Sequence, residues 1–234
     1  VKVQTANGVC RLSIRAVPLP EEVTTLLVEN ADLLKLMSKS WSDSATTTFK
    51  INEESLKAVN ELKSNMTEAF VRTKNRVWEN VMDSIWSFGP NRYGPNILVN
   101  RDHDLRGPSV WDRINRSSKL SEMWSYSNSV ISGFQIATQA GPLCEEPLMG
   151  VAFILECVEM EEEEAIGEEI VEKMSDMSIT EGGSTYNGLS GQIMSCMKSG
   201  CRKSFQSQPQ RLMAAMYTCN IQATADVLGK QVVA

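Results

Sequence analysis

One histidine and six cysteines are the side chains of this chain best suited to nucleophilic or metal chemistry. His103 lies in Arg101-Asp102-His103-Asp104. The flanking carboxylates can orient an imidazole, but no serine or cysteine nucleophile is nominated beside it, so an exposed histidine is expected. The cysteines are Cys10, Cys144, Cys157, Cys196, Cys201 and Cys219, and none forms a Cys-x-x-Cys pair. The close thiolate spacing of a structural zinc site is therefore missing, and buried apolar thiols of a reducing compartment are expected. Glu145 and Glu146 are adjacent, so they diverge on a strand or a helix and make no dyad by themselves. A phosphate-cradling loop needs Gly-x4-Gly-Lys-Ser/Thr, whose backbone N–H groups wrap the phosphates while the lysine neutralises them. Gly183 and Gly188 have that separation, but Leu189 stands where the lysine must be. The expectation is a chain with no catalytic residue, no metal and no cofactor of its own.

What remains is surface chemistry. Lys198, Arg202 and Lys203 fall off the apolar line Ile193, Met197, Cys201 and Phe205 of an amphipathic helix over about 190–206. They are expected to be exposed and are candidate contacts for phosphate. The net charge of −6 (29 acidic against 23 basic residues) means that any contact with RNA must be local. Glu159 to Glu181 is an acidic stretch, with four glutamates in a row from Glu161 to Glu164, and should solvate and repel phosphate.

The elements that must position these residues follow from periodicity. Residues 1–8 are patternless and expected to be a linker tail. Cys10, Leu12, Ile14 and Ala16 alternate with Arg11, Ser13 and Arg15, a half-buried strand stopped by Pro18 and Pro20. A helix should begin at Glu21. Helical spacing of Leu56, Val59, Leu62 and Met66, then of Val77, Val81 and Ile85, predicts a long helix over about 51–87. Asn96 to Asn100 is strand-like, and 101–126 should be a polar, basic surface excursion. A helix is expected over 127–140, and Gly150 to Val158, apolar on both faces, should be a central strand. Leu212 to Ile221 reads as another strand. These elements make an α/β sandwich with helices over a sheet. The 42% apolar and 22% charged composition suits a soluble globular chain. With no targeting pattern and no apolar run near the roughly 18 residues of a membrane span, a cytoplasmic protein is expected.

Two motifs carry more. Trp86-Ser87-Phe88-Gly89-Pro90 precedes Gly94-Pro95-Asn96-Ile97-Leu98, and Gly133-Phe134-Gln135 precedes Ala137-Thr138, Gly141-Pro142 and Glu145-Glu146. They resemble the fourth domain of the elongation factor 2 family, whose pattern runs W-x-F-G-P-x3-G-P-N and then G-F-Q-x-A-T-x-x-G-P/A-x-x-E-E. Ser190-Gly191-Gln192-Ile193 and Pro209-Gln210-Arg211-Leu212-Met213 are similar to that family's G-G-Q-I helix and the entry to its fifth domain. Within the family, Arg15 to Val23, Glu146 to Val151 and Pro209 to Cys219 look like the branch of GTPases that act in late cytoplasmic maturation of the large ribosomal subunit.

The resemblance implies a fold of the ribosomal S5 domain 2 type with one sheet face covered by helices. It spans 9–208, with an acidic insertion over 159–187, followed over 209–234 by the truncated first strand of a ferredoxin-like domain. It implies that GTP and Mg bind in a GTPase domain elsewhere in a parent protein. It also implies partners: the large ribosomal subunit, the Shwachman–Bodian–Diamond protein and, indirectly, initiation factor 6. The translocase of the family carries a modified histidine five residues before the Gln of G-G-Q-I, and here that position is Asn187. Asn187 joins Lys198, Arg202 and Lys203 as a candidate ribosome contact and counts against translocation. A translocase or a spliceosomal relative is the alternative within the family. A small-molecule kinase of S5-like fold is the alternative of another class, disfavoured by the missing phosphate loop.

Overall fold

The computed structural model describes residues 1–42, 52–105, 107–113, 125–143, 145–161 and 185–212; the side chains of 40–42 and 185–187 are not described. Nine-residue β2 (Cys10–Pro18) alternates as read from the sequence, with Cys10, Leu12, Ile14 and Ala16 inward. It pairs antiparallel with β5 (Val151–Met160), which also runs parallel to β4 (Asn96–Asn100). β3 (Ile85–Gly89) forms a hairpin with β4, and β1 (Lys2–Gln4) lies along the other edge. The sheet order is β1-β2-β5-β4-β3, so the strand expected to be central is central.

Helices lie on both faces, not on one as the resemblance implied. On one face, α4 (Ser127–Gln139) and α5 (Thr185–Gln206) pack against Leu12, Ile14, Leu98, Phe153 and Leu155. On the other, α1 (Glu21–Glu29), α2 (Ala31–Ser42) and α3 (Glu53–Arg72) pack against Ile97, Val99, Ala152 and Ile154. Those strand residues alternate along β4 and β5, so both faces are apolar and both need a cover. The second cover stops short of Arg11 and Arg15, whose side chains reach the exposed Glu161 at 2.9 Å and Glu156 at 2.9 Å. Among the described residues, no helix is long and apolar enough to cross a membrane.

Several sequence expectations are corrected. Residues 1–8 are no linker: β1 pairs Val3 with Leu12, and Asn7-Gly8 makes the turn, with Gly8 at φ 80°. The side chain of Asn7 accepts the backbone N–H of Val9 at 3.3 Å, a local turn bond of the kind asparagine favours. The long helix over 51–87 ends at Arg72. It starts well, with Asn52 accepting the Ser55 N–H at 2.9 Å and Glu53 and Glu54 in the first turn. Left-handed Lys74 (φ 50°) and Asn80 (φ 53°) then break the chain into single 3-10 turns at Arg76–Trp78 and Met82–Ser84. Trp86, inside the span of that expected helix, lies with Phe88 on strand β3. The excursion 101–126 is not all surface either, because Val110 and Trp111 are buried and the Val110 N–H donates to the Ile85 carbonyl at 2.9 Å. Leu56, expected inward, is exposed.

Candidate functional site

The motif residues build a joint between the β3–β4 hairpin, α4 and the start of β5. A register shift between Ile85 and Ser87 lets Trp86 join the core beneath α4 while Ile85 and Phe88 face the other helices. Ser87 then accepts a hydrogen bond from Gln135 Nε2 at 2.9 Å, and the Phe88 carbonyl accepts another at 2.6 Å. The other end of that amide, Gln135 Oε1, accepts the Arg92 N–H at 2.9 Å. Buried Asn96 donates from Nδ2 to the carbonyls of Gly89 and Leu148 and accepts the Val151 N–H at 3.0 Å. One side chain therefore ties three segments and satisfies three backbone groups.

Glycine is required where backbones crowd. A Cβ on Gly89 would stand 2.6 Å from the Phe134 ring, and one on Gly94 2.3 Å from Pro90. A Cβ on Gly133 would stand 2.5 Å from the Met194 carbonyl oxygen, so Gly133 is what lets α4 and α5 cross closely. Phe134 packs edge-on against Phe153 at 5.9 Å. Pro90 and Pro95 bound the turn, where the Gly94 N–H bonds the Pro90 carbonyl and the Gly150 N–H bonds the Pro95 carbonyl. Gln192 accepts the Asn7 N–H at 3.1 Å and fastens the β1–β2 turn to α5. Glu145 (φ 57°) and Glu146 are exposed and form no pair, whereas a Cβ on Gly191 would meet nothing within 4 Å. The motif is thus mostly packing chemistry.

The contact candidates separate. Lys203 is exposed and Lys198 is half-buried. Arg202, expected on the exposed face, is half-buried: its Nη2 donates to the Ala140 carbonyl at 3.0 Å, closing the C-terminal end of α4. Asn187 lies in the first turn of α5, and its side chain is outside the described residues. His103 is exposed, as expected. Its neighbour Asp102 turns inward to accept the Val158 N–H at 2.6 Å. Cys10, Cys196 and Cys201 are buried and Cys157 is half-buried, while Cys144 and Cys219 lie outside the described residues. Burial pushes the Cys10 thiol up to about 12, with Cys196 adding to the shift, and pushes Cys201 up further. Among the described residues no three His, Cys, Asp or Glu side chains cluster to hold a metal. Gly188, one of the two spaced glycines, is within the helix α5 rather than in a loop, and Leu189 follows it, so this pair does not make a phosphate-cradling loop. All of 162–184 and 213–234, which hold most of the acidic run and of the last expected strand, lie outside the described residues.

An apolar groove of about 580 Å³ opens where α5 ends, between Val17, Pro142, Leu148, Met149, Phe205 and Leu212. Sequence reasoning missed the buried role of Arg202 and the turn residues Arg92 and Tyr93. Tyr93 rests partly on the core beside α2.

Comparison with known proteins agrees with the motif reading. A family profile described as "Elongation factor-like GTPase 1-like domain" matches residues 15–101. The elongation factor-like GTPase 1 of Homo sapiens is 38% identical over 263 aligned residues, covering 98% of this chain and 23% of the relative. Ribosome assembly protein 1 of Schizosaccharomyces pombe is 28% identical over 95% of this chain and 21% of its own length. Pre-mRNA-splicing factor cwf10 of the same yeast is 30% identical, but over only 66% of this chain. The chain therefore spans less than a quarter of the length of these relatives. With near-full coverage by the first of them and partial coverage by the splicing factor, the chain belongs to the elongation factor-like GTPase 1 family.

Proposed function

We propose that this chain is the ribosome-facing part of a larger elongation-factor-like GTPase that acts in maturation of the large ribosomal subunit. The observation that carries the reading is the 38% identity along 98% of the chain to a protein named for elongation-factor-like GTPase activity. The name of ribosome assembly protein 1 supports the ribosomal direction. The fold supports a part played by shape and surface, since the motif residues hold the hairpin, α4 and β5 together and form no reaction centre.

In finer terms, the body up to residue 208 corresponds to a fourth domain of the S5-like kind, and 209–234 to the entry of a fifth. GTP and Mg bind in another domain of the parent. There the protein works in the cytoplasm with the Shwachman–Bodian–Diamond protein to release initiation factor 6. Asn187, in place of the translocase histidine, supports this branch over translocation. The test is co-sedimentation of the purified chain with large ribosomal subunits and their precursors at low salt. Recovery with these particles, falling as salt rises, is expected. A chain that stays in the supernatant at every salt concentration overturns the proposal.

A further inference from the structure

We propose that the apolar groove at the C-terminal end of α5 is a seat for this chain's own next segment, Met213 to Ile221. The inference goes beyond the ribosome-facing reading and stands or falls without it.

Several stretches of chain meet in the groove. β2 ends in its wall at Val17 and Pro18, β5 starts there at Val151, and Phe205 of α5 adds to it. Residues 141–143 and 146–150, between α4 and β5, and 208–212, beyond α5, complete the lining.

This apolar surface is left open. Among the described residues, nine large hydrophobic side chains are exposed. Three of them, Leu143 at 63%, Met149 at 44% and Leu212 at 81%, belong to this one groove. Single exposed apolar side chains are ordinary, but a cluster around a groove marks a surface that something covers. Gln210 adds a polar requirement. It lines the groove, and its Oε1 is shut off from solvent and accepts no hydrogen bond. An orphaned acceptor is costly, and a peptide segment brings backbone N–H groups that an apolar small molecule lacks.

The chain supplies such a segment at the site. Leu212 is the last described residue, and it lies on the groove wall. The residues that follow, Met213 to Ile221, carry no charge, although 22% of the chain is charged. They include Met213, Met216, Tyr217 and Ile221, and methionine adapts to irregular apolar gaps. A segment tethered at the wall has an effective concentration on the order of millimolar, so it outcompetes a free apolar partner of equal intrinsic affinity.

The experiment is hydrogen–deuterium exchange of the whole chain, read by mass spectrometry. The parent is compared with Leu143→Asp/Met149→Asp and with Val71→Asp, a control at an exposed position on α3 outside the groove. Unchanged exchange in peptides of β5 and α5 establishes that the body of each variant is folded. Amides of 213–221 should exchange at least about tenfold more slowly in the parent and in Val71→Asp than in the double variant. Should the double variant lose the protection of the body, Leu143→Gln replaces it, with the same direction expected. Equal exchange of 213–221 in parent and folded groove variant overturns the inference, as does exchange at the rate of a free peptide in the parent. Protection that rises with chain concentration also overturns it, because it would mark a second copy in the groove. Sedimentation with large subunits reads the other proposal independently. A seated segment in a chain that does not sediment keeps the groove and removes the ribosomal function, and the opposite pair of results does the reverse.

Discussion

Gly133 and Gly191 sit in packed helices of the same layer and have opposite surroundings. A methyl group on Gly133 meets the Met194 carbonyl and the Met197 Cβ, both on α5, and backbone on that side cannot swing away. Gly133→Ala should therefore lower stability by about 1–3 kcal/mol in denaturant unfolding. Gly191→Ala adds a methyl group to open space inside α5 and should be neutral or stabilise by up to about 1 kcal/mol, because alanine favours helix. Equal effects of the two changes would mean that the α4–α5 crossing is not as close as described. The same residue scale gives a pH prediction. Burial raises the Cys10 thiol from 9.0 to about 12 and raises Cys201 too. The folded state then holds protons that the unfolded state has lost above pH 9, so these thiols leave stability intact below pH 9 and erode it as pH climbs towards 12. Alkylation at pH 8 followed by mass spectrometry should find Cys10 and Cys201 unmodified until denaturant is added. The burial of Cys201 was legible from the apolar line it shares with Ile193 and Met197, and that of Cys10 from its alternation with Leu12 and Ile14. The inward turn of Arg202 was not, because helical spacing places an arginine off the apolar line without saying whether a neighbouring helix end needs its donors.

Among the elements, the β3–β4 hairpin and the start of β5 depend on one buried amide. Asn96→Ala leaves the Gly89 and Leu148 carbonyls and the Val151 N–H without their partner. It should lower stability by about 1–3 kcal/mol, and Asn96→Asp, which keeps the acceptor but sets a buried carboxylate oxygen against those two carbonyls, should recover none of that at neutral pH in the same unfolding experiment. β2, β4, β5, α1 and α4 could be read from the sequence because their periods are clean and Pro or Gly bounds them. β1 was missed although Asn7-Gly8 is a strong hairpin signal: with only three residues, Lys2–Gln4, its alternation is too short to stand out from a linker. The false helix up to Ile85 arose because Val77, Val81 and Ile85 repeat at four-residue intervals on 3-10 turns and a strand start, where each is buried or half-buried for a different reason. The acidic stretch begins later than its composition suggests, since Glu159 is still on β5 opposite Arg11. Removing 162–181 should therefore leave the melting temperature unchanged and should not weaken binding to ribosomes, as carboxylates repel phosphate. A large loss of binding with the fold intact would assign that segment a contact role.

For the whole molecule, the two-faced sheet accounts for a stable body, and the proposed action is through shape and surface charge. The motifs were legible because their residue types are fixed by packing: glycine at close crossings, asparagine and glutamine at shared hydrogen bonds. Surface positions carry no such constraint, so nothing in helical spacing separates Arg202 from Lys203. The purified chain should not bind a fluorescent GTP analogue at micromolar concentration, and saturable binding would contradict the placement of the nucleotide in another domain of the parent. The most direct test of the central claim is a titration of the labelled chain with purified large and small ribosomal subunits at one fixed salt concentration. Saturable binding to large subunits, at least about tenfold tighter than to small ones, is the predicted result; such a preference needs about 1.4 kcal/mol beyond the electrostatic attraction that both particles share. Equal affinity for the two subunits, or no saturable binding to either, would contradict the account.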